Sequence, residues 1–124
     1  MRKWIETVKP WPVFTRNRLY QVRVKAVRKS PQGKAILMDL EFLEGQQKGR
    51  SLSEKLELPI RLEGRSANYF YACGQQVKLE AKLSPKATIG SVIGVRLDKD
   101  SAGQWRVIDF EPITQEKNHE LTIS

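Results

Sequence analysis

"LYQVRVKAVRK" (19–29), "SPQGK" (30–34) and "AILMDLEFL" (35–43) decide how this chain folds. The first segment alternates apolar and polar residues with period two, as a half-buried strand does, and the last reads as its returning strand. Between them Pro31 and Gly33 punctuate a turn. If the turn leaves Lys29 opposite Ala35, then Val22 faces Phe42, Val24 faces Leu40 and Ala26 faces Met38 on one side. On the other side Arg23 meets Glu41 and Lys25 meets Asp39. Burial and charge select the same register, and a slip by one residue would turn every side chain to the wrong face. An antiparallel hairpin is therefore predicted.

Working outward, "EGQQKGR" (44–50) is a glycine-bounded turn, and "SLSEKLELP" (51–59) is a third strand with Leu52, Leu56 and Leu58 on one face. "SANYFYACG" (66–74) reads as a short helix that Ser66 can cap and Gly74 can end in the left-handed conformation. Its Tyr69 and Phe70 are placed against the base of the core. "SVIGVRLD" (91–98) and "WRVIDFEPI" (105–113) are two further strands joined by "KDSAGQ". Three strands, a helix and two strands is the order of the five-stranded Greek-key OB-fold. The expected architecture is mainly β: an OB-like barrel over 19–113 with one short helix between strands three and four. A different five-stranded barrel or a curled sheet is the alternative. A basic aromatic arm (1–18) precedes this domain and a polar tail (114–124) follows it.

The charge is unevenly placed. The chain of 124 residues has a formal net charge of +8, which favours an anionic partner: nucleic acid, a membrane surface or an acidic protein. Residues 1–34 hold ten Lys/Arg against one acid, and residues 35–124 hold twelve against thirteen. The excess thus lies in the arm and the first hairpin, a localised footprint.

Catalysis needs a positioned acid, base, nucleophile or metal, and the sequence offers little of this kind. His119 stands alone in the polar tail. Asp98 and Asp100 flank Lys99 in a loop that reads as a solvated turn. "GQQKGR" lacks the Lys-Ser/Thr ending of a phosphate-binding loop. Cys73, the single cysteine, excludes an intramolecular disulfide and a multi-cysteine zinc site, and reads as a buried helical thiol. No enzyme, cofactor or metal is expected. No apolar run follows Met1-Arg2-Lys3 and none reaches bilayer length, so neither a membrane nor secretion is expected, and the cytoplasm is the default location.

The candidate binding residues are cations and aromatics. In the arm they are Arg2, Lys3, Trp4, Lys9, Trp11, Arg16 and Arg18, with Pro10 and Pro12 holding Trp11 in an extended segment. At the first hairpin tip they are Arg28, Lys29 and Lys34, and at the start of the last strand Trp105 and Arg106. Tryptophan can stack on a base or lie on an apolar patch, and Trp11 with Phe14 reads first as a lid on the barrel end. The usual OB binding face, strands two and three, offers Asp39, Glu41 and Glu57 against Lys55, which is a poor surface for phosphate.

The runs "LEFLEGQQKGRSLSEKLEL" (40–58), the helix closing on Cys73-Gly74, and "IGSVIGVRLDKDSAGQWRVIDFEPI" (89–113) together resemble a family of small phage and mobile-element proteins. Members have OB-like domains and are encoded near recombination or replication genes. The resemblance covers residues 19–113 and implies a non-catalytic, single-stranded-DNA-binding accessory. The same physics would serve RNA. The competing expectation is a protein-interaction module whose basic N-terminal end docks a recombination or replication enzyme.

Overall fold

The computed structural model describes residues 14–113. Its elements are β1 (Leu19–Lys29), β2 (Ala35–Phe42), β3 (Ser51–Glu57), α1 (Arg65–Ala72), β4 (Val92–Lys99) and β5 (Trp105–Pro112). All pairings are antiparallel, and the strands form one sheet in the order β3-β2-β1-β4-β5. The protein is thus mainly β, five strands and one helix. No ladder joins β3 to β5, so these two are the edges of an open sheet.

The first hairpin keeps the predicted register where its apolar residues are strongest: Val22 pairs with Phe42, Arg23 with Glu41 and Val24 with Leu40. Val22, Val24 and Leu40 are fully buried and Phe42 nearly so. Beyond Val24 the register shifts at a bulge, so that Ala26 lies opposite Asp39, Val27 opposite Met38 and Lys29 opposite Ile36. The expected facing of Ala26 to Met38 is corrected, because the bulge brings the larger Val27 against the core instead. The ion pairs change partners with it. Lys25 lies 3.6 Å from Glu41 rather than beside Asp39, and Arg28 reaches Asp39 at 3.9 Å. Bulges bend a strand and increase its twist. Here β1 pairs β4 only from Leu19 to Arg23, before the bend.

Helix α1 starts one residue earlier than expected, and Ser66 does not cap it. Gly64, at a φ of 109°, occupies the N-cap without a side-chain hydrogen bond. Its end follows the expectation. Gly74 adopts a φ of 91°, its N–H donates to Tyr71 O, and Gln75 N donates to Phe70 O. That pair of bonds is a Schellman closure, which satisfies carbonyls the helix leaves open. Tyr69 and Phe70 are fully buried beneath the sheet, with Tyr69 edge-on to Phe110 at 5.1 Å. Cys73 sits at the C-cap and is half-buried; burial raises its thiol pKa.

The open edge between β3 and β5 is crossed by side chains. Glu54 lies on the inward face of β3, between Leu52 and Leu56, and its side chain is 0% exposed. Its Oε2 accepts hydrogen bonds from the Val107 N–H at 2.8 Å and from Arg106 Nε at 3.0 Å. Its Oε1 accepts from Arg65 Nη2 at 2.5 Å. Arg65 then donates from Nη1 to Lys55 O and from Nε to Val107 O, both at 2.7 Å. Two backbone edges that make no ladder are thus held by one carboxylate and two guanidinium groups.

Tyr69 gives a measurable pH dependence. Its hydroxyl donates to Thr88 Oγ1 at 2.8 Å, and Thr88 Oγ1 donates to Pro85 O at 2.6 Å. Burial, only partly offset by the Thr88 bond, raises the Tyr69 pKa well above its ordinary 10.0. Above that pH the unfolded chain loses the phenol proton while the folded chain keeps it. The unfolded state then binds fewer protons, so stability falls as pH rises. Thermal unfolding at pH 8 and pH 11 should show a lower midpoint at pH 11, and Tyr69→Phe should flatten the drop. An equal drop in that variant would rule Tyr69 out as the source.

Candidate nucleic-acid interface

Trp105 opens β5 and faces Lys99, the last residue of β4, across the ladder. The connecting loop is fixed by Asp100, whose Oδ1 accepts from Ala102 N and Gln104 N, both at 2.9 Å. A short carboxylate bonding to nearby backbone amides is how Asp stabilises a turn. Gly103 completes it at a φ of 82°. The half-buried indole then stands beside Phe14, ring centroids 5.5 Å apart and edge to face. Phe14 is itself only 8% exposed and lies 5.1 Å from Phe42 and 5.4 Å from Tyr20. Of the two readings of the arm, Phe14 takes the lid position.

Trp105, Phe14 and Phe42 border a cleft of about 590 Å³ whose walls also carry Arg50 and Lys99. Lys99 Nζ sits 5.4 Å from the Trp105 ring centroid, a cation–π distance. An aromatic ring with two cations in one hollow can take a planar base against the indole and an adjacent phosphate against the ammonium or guanidinium. Sequence inspection missed both Arg50 and Lys99. Asp98 and Asp100 flank Lys99 in sequence, but Asp98 is held by Arg16 at 2.6 Å and Asp100 serves the loop and Arg106, the latter at 3.8 Å. Among the described residues neither the Lys99 ammonium nor the Arg50 guanidinium has a carboxylate within 4 Å.

The other expected binding residues fall into different surroundings. Arg2, Lys3, Trp4, Lys9 and Trp11 lie outside the described residues. Arg16 is paired as above, and Arg18 stacks over Tyr20 at 5.6 Å. Arg106 is committed to Glu54, whose hydrogen bond raises the guanidinium pKa further. Arg28 is drawn to Asp39, while Lys29 and Lys34 stand exposed at the hairpin tip. The carboxylates of the strand two and three face are already partnered: Glu57 lies 3.8 Å from Lys55, and Asp39 and Glu41 pair with Arg28 and Lys25 of β1.

Among the described residues no cluster of His, Cys, Asp or Glu could hold a metal ion, and no helix is long and apolar enough to cross a membrane. No protein-family model and no curated protein matches this sequence.

Proposed function

We propose that this protein is a non-catalytic module that binds single-stranded nucleic acid, with DNA ahead of RNA, in recombination or replication of the phage or mobile-element type its sequence resembles. The observation that carries this reading is the Trp105 cleft, where an accessible indole, Arg50 and Lys99 share one hollow. The localised positive charge of residues 1–34 supports it as an electrostatic footprint that brings an anionic polymer to the domain. The frame suits an OB-like domain: the strand neighbours and the helix position agree with one, and the Glu54 cluster stands where a closing ladder would lie. The loop between β4 and β5, which carries Lys99 and Trp105, is among those that OB-folds use for ligands.

Titration of tryptophan fluorescence with a short oligothymidine tests the reading. Trp105→Ala should weaken binding by about 1–3 kcal/mol, roughly 5- to 150-fold, with little change in salt dependence, because stacking is not screened. Lys99→Gln should instead lower the salt slope by roughly 0.7, the amount for one phosphate contact on a single strand. Lys55→Gln is the control and should leave both quantities unchanged. Wild-type protein that binds no oligonucleotide at low salt would end the proposal.

A further inference from the structure

A second hollow lies at the opposite end of β2 and β3 from Trp105. Its volume is about 390 Å³, and its walls come from the first hairpin (Val27, Ile36), the segment after β3 (Leu58, Ile60) and the segment before β4 (Leu83, Pro85). Phe70 lies beneath it. An engineered apolar cavity of about 150 Å³ holds a benzene molecule, so this hollow admits roughly two side chains of that size. A neighbouring hollow of about 600 Å³ shares Ile60 and Leu83 with it, making one continuous groove. The groove runs out onto Leu62 and Leu79, which are 50% and 76% exposed. Exposed leucines beside a concave apolar wall give a partner's side chains a place to be buried.

The groove's charge is one-sided. Arg28, Lys29 and Lys86 border the first hollow and Arg61 and Lys78 the second, with Glu80 the single acid among the lining residues. Among the described residues neither Lys29 nor Lys86 has a carboxylate within 4 Å. Base stacking is not what this groove offers. Phe70, the one aromatic that lines it, is 0% exposed. A bilayer surface is the poorer fit, since most of the apolar residues line a concavity and only Leu62 and Leu79 stand out from it.

We propose that this groove docks a short peptide segment of another protein, one in which large apolar side chains alternate with carboxylates. The apolar side chains fill the hollow over Phe70, and the carboxylates meet Lys29 and Lys86 at its rim. The site is separate from the Trp105 cleft, so the domain can hold a nucleic acid at one end and a protein at the other.

The probe is a fluorescein-labelled peptide in which phenylalanine and leucine alternate with aspartate, followed by anisotropy with the full chain. Two further peptides replace the apolar residues by serine, or the aspartates by lysine. The first peptide should bind and both others should fail. Lys29→Glu combined with Lys86→Glu should weaken binding at least about tenfold, because like charges then face each other across the contact. Both lysines are surface residues, and far-UV circular dichroism confirms that the variant folds. Trp105→Ala should leave peptide binding intact, and oligothymidine should not displace the peptide. The proposal is overturned if the first peptide does not bind, if the serine peptide binds as well, if the double charge reversal has no effect, or if oligothymidine competes. Loss of oligothymidine binding alone would strike the Trp105 reading and leave this one standing.

Discussion

Glu54→Ala is expected to lower the unfolding free energy by about 3–5 kcal/mol, the usual cost of removing one partner of a buried ion pair. The side chain is completely buried, and it accepts from Arg65, from Arg106 and from the Val107 amide. Alanine leaves all three donors without their acceptor and leaves a void on the inner face of β3. For a domain whose total stability is about 5–15 kcal/mol, that is a large fraction. Arg106→Ala should cost less, since its side chain is 42% exposed and water replaces part of the interaction. Urea denaturation measures both. Breaking the cluster differs from replacing it: Glu54→Leu with Arg65→Met and Arg106→Met should recover part of the loss, because well-packed apolar groups often substitute for buried ions. A cost below about 1 kcal/mol for Glu54→Ala would mean that the β3/β5 edge is held by packing alone.

Phe42→Ala should cost about 3–5 kcal/mol, as truncation of a buried phenylalanine does through lost transfer energy and a residual cavity. Phe42 is 2% exposed and contacts the rings of Phe14 and Tyr20, with centroids 5.1 and 5.9 Å away. Because Phe14 backs Trp105, the same change should also weaken oligothymidine binding, without touching a charge. The surface ion pairs of the hairpin set the comparison. Lys25→Ala and Arg28→Ala should each change stability by no more than about 1 kcal/mol, since exposed pairs contribute little. A Phe42→Ala variant as stable as these would show that Phe14 and Tyr20 close over the gap.

The elements were legible because each is written in a few adjacent residues. Alternation over 19–29 marked the first strand, Pro31 and Gly33 marked the turn into its return, and Gly74 marked the end of the helix. The register from Val22 to Val24 followed from side chains that must be either buried or wet. The bulge broke that rule one turn of the alternation later. Its local sign is the adjacent pair Ala26-Val27, two apolar residues where strict alternation allows one. Ser66 matched the local preference for a cap, but the helix begins one residue earlier, after Gly64, whose φ of 109° suits glycine and not serine.

What the sequence determined by itself was therefore the order and type of the elements, the inner faces of β1 up to Val24, of β2 and of β3, and the concentration of charge in residues 1–34. Tertiary structure alone decided which charges remain available. Glu54 stands at an inward position between two leucines, a visible anomaly, yet the amide it binds at Val107 is 53 residues away. Arg106 was counted as a ligand cation until Glu54 was found beside it. Lys99 was not among the expected ligands, and it stays available because its two neighbouring aspartates are held by Arg16, Arg106 and the loop amides. A period in the sequence reports which face of a strand is buried; it carries no information about which distant strand edge arrives beside it. Charge pairing acts over a few ångströms in space, and only the folded chain sets those distances.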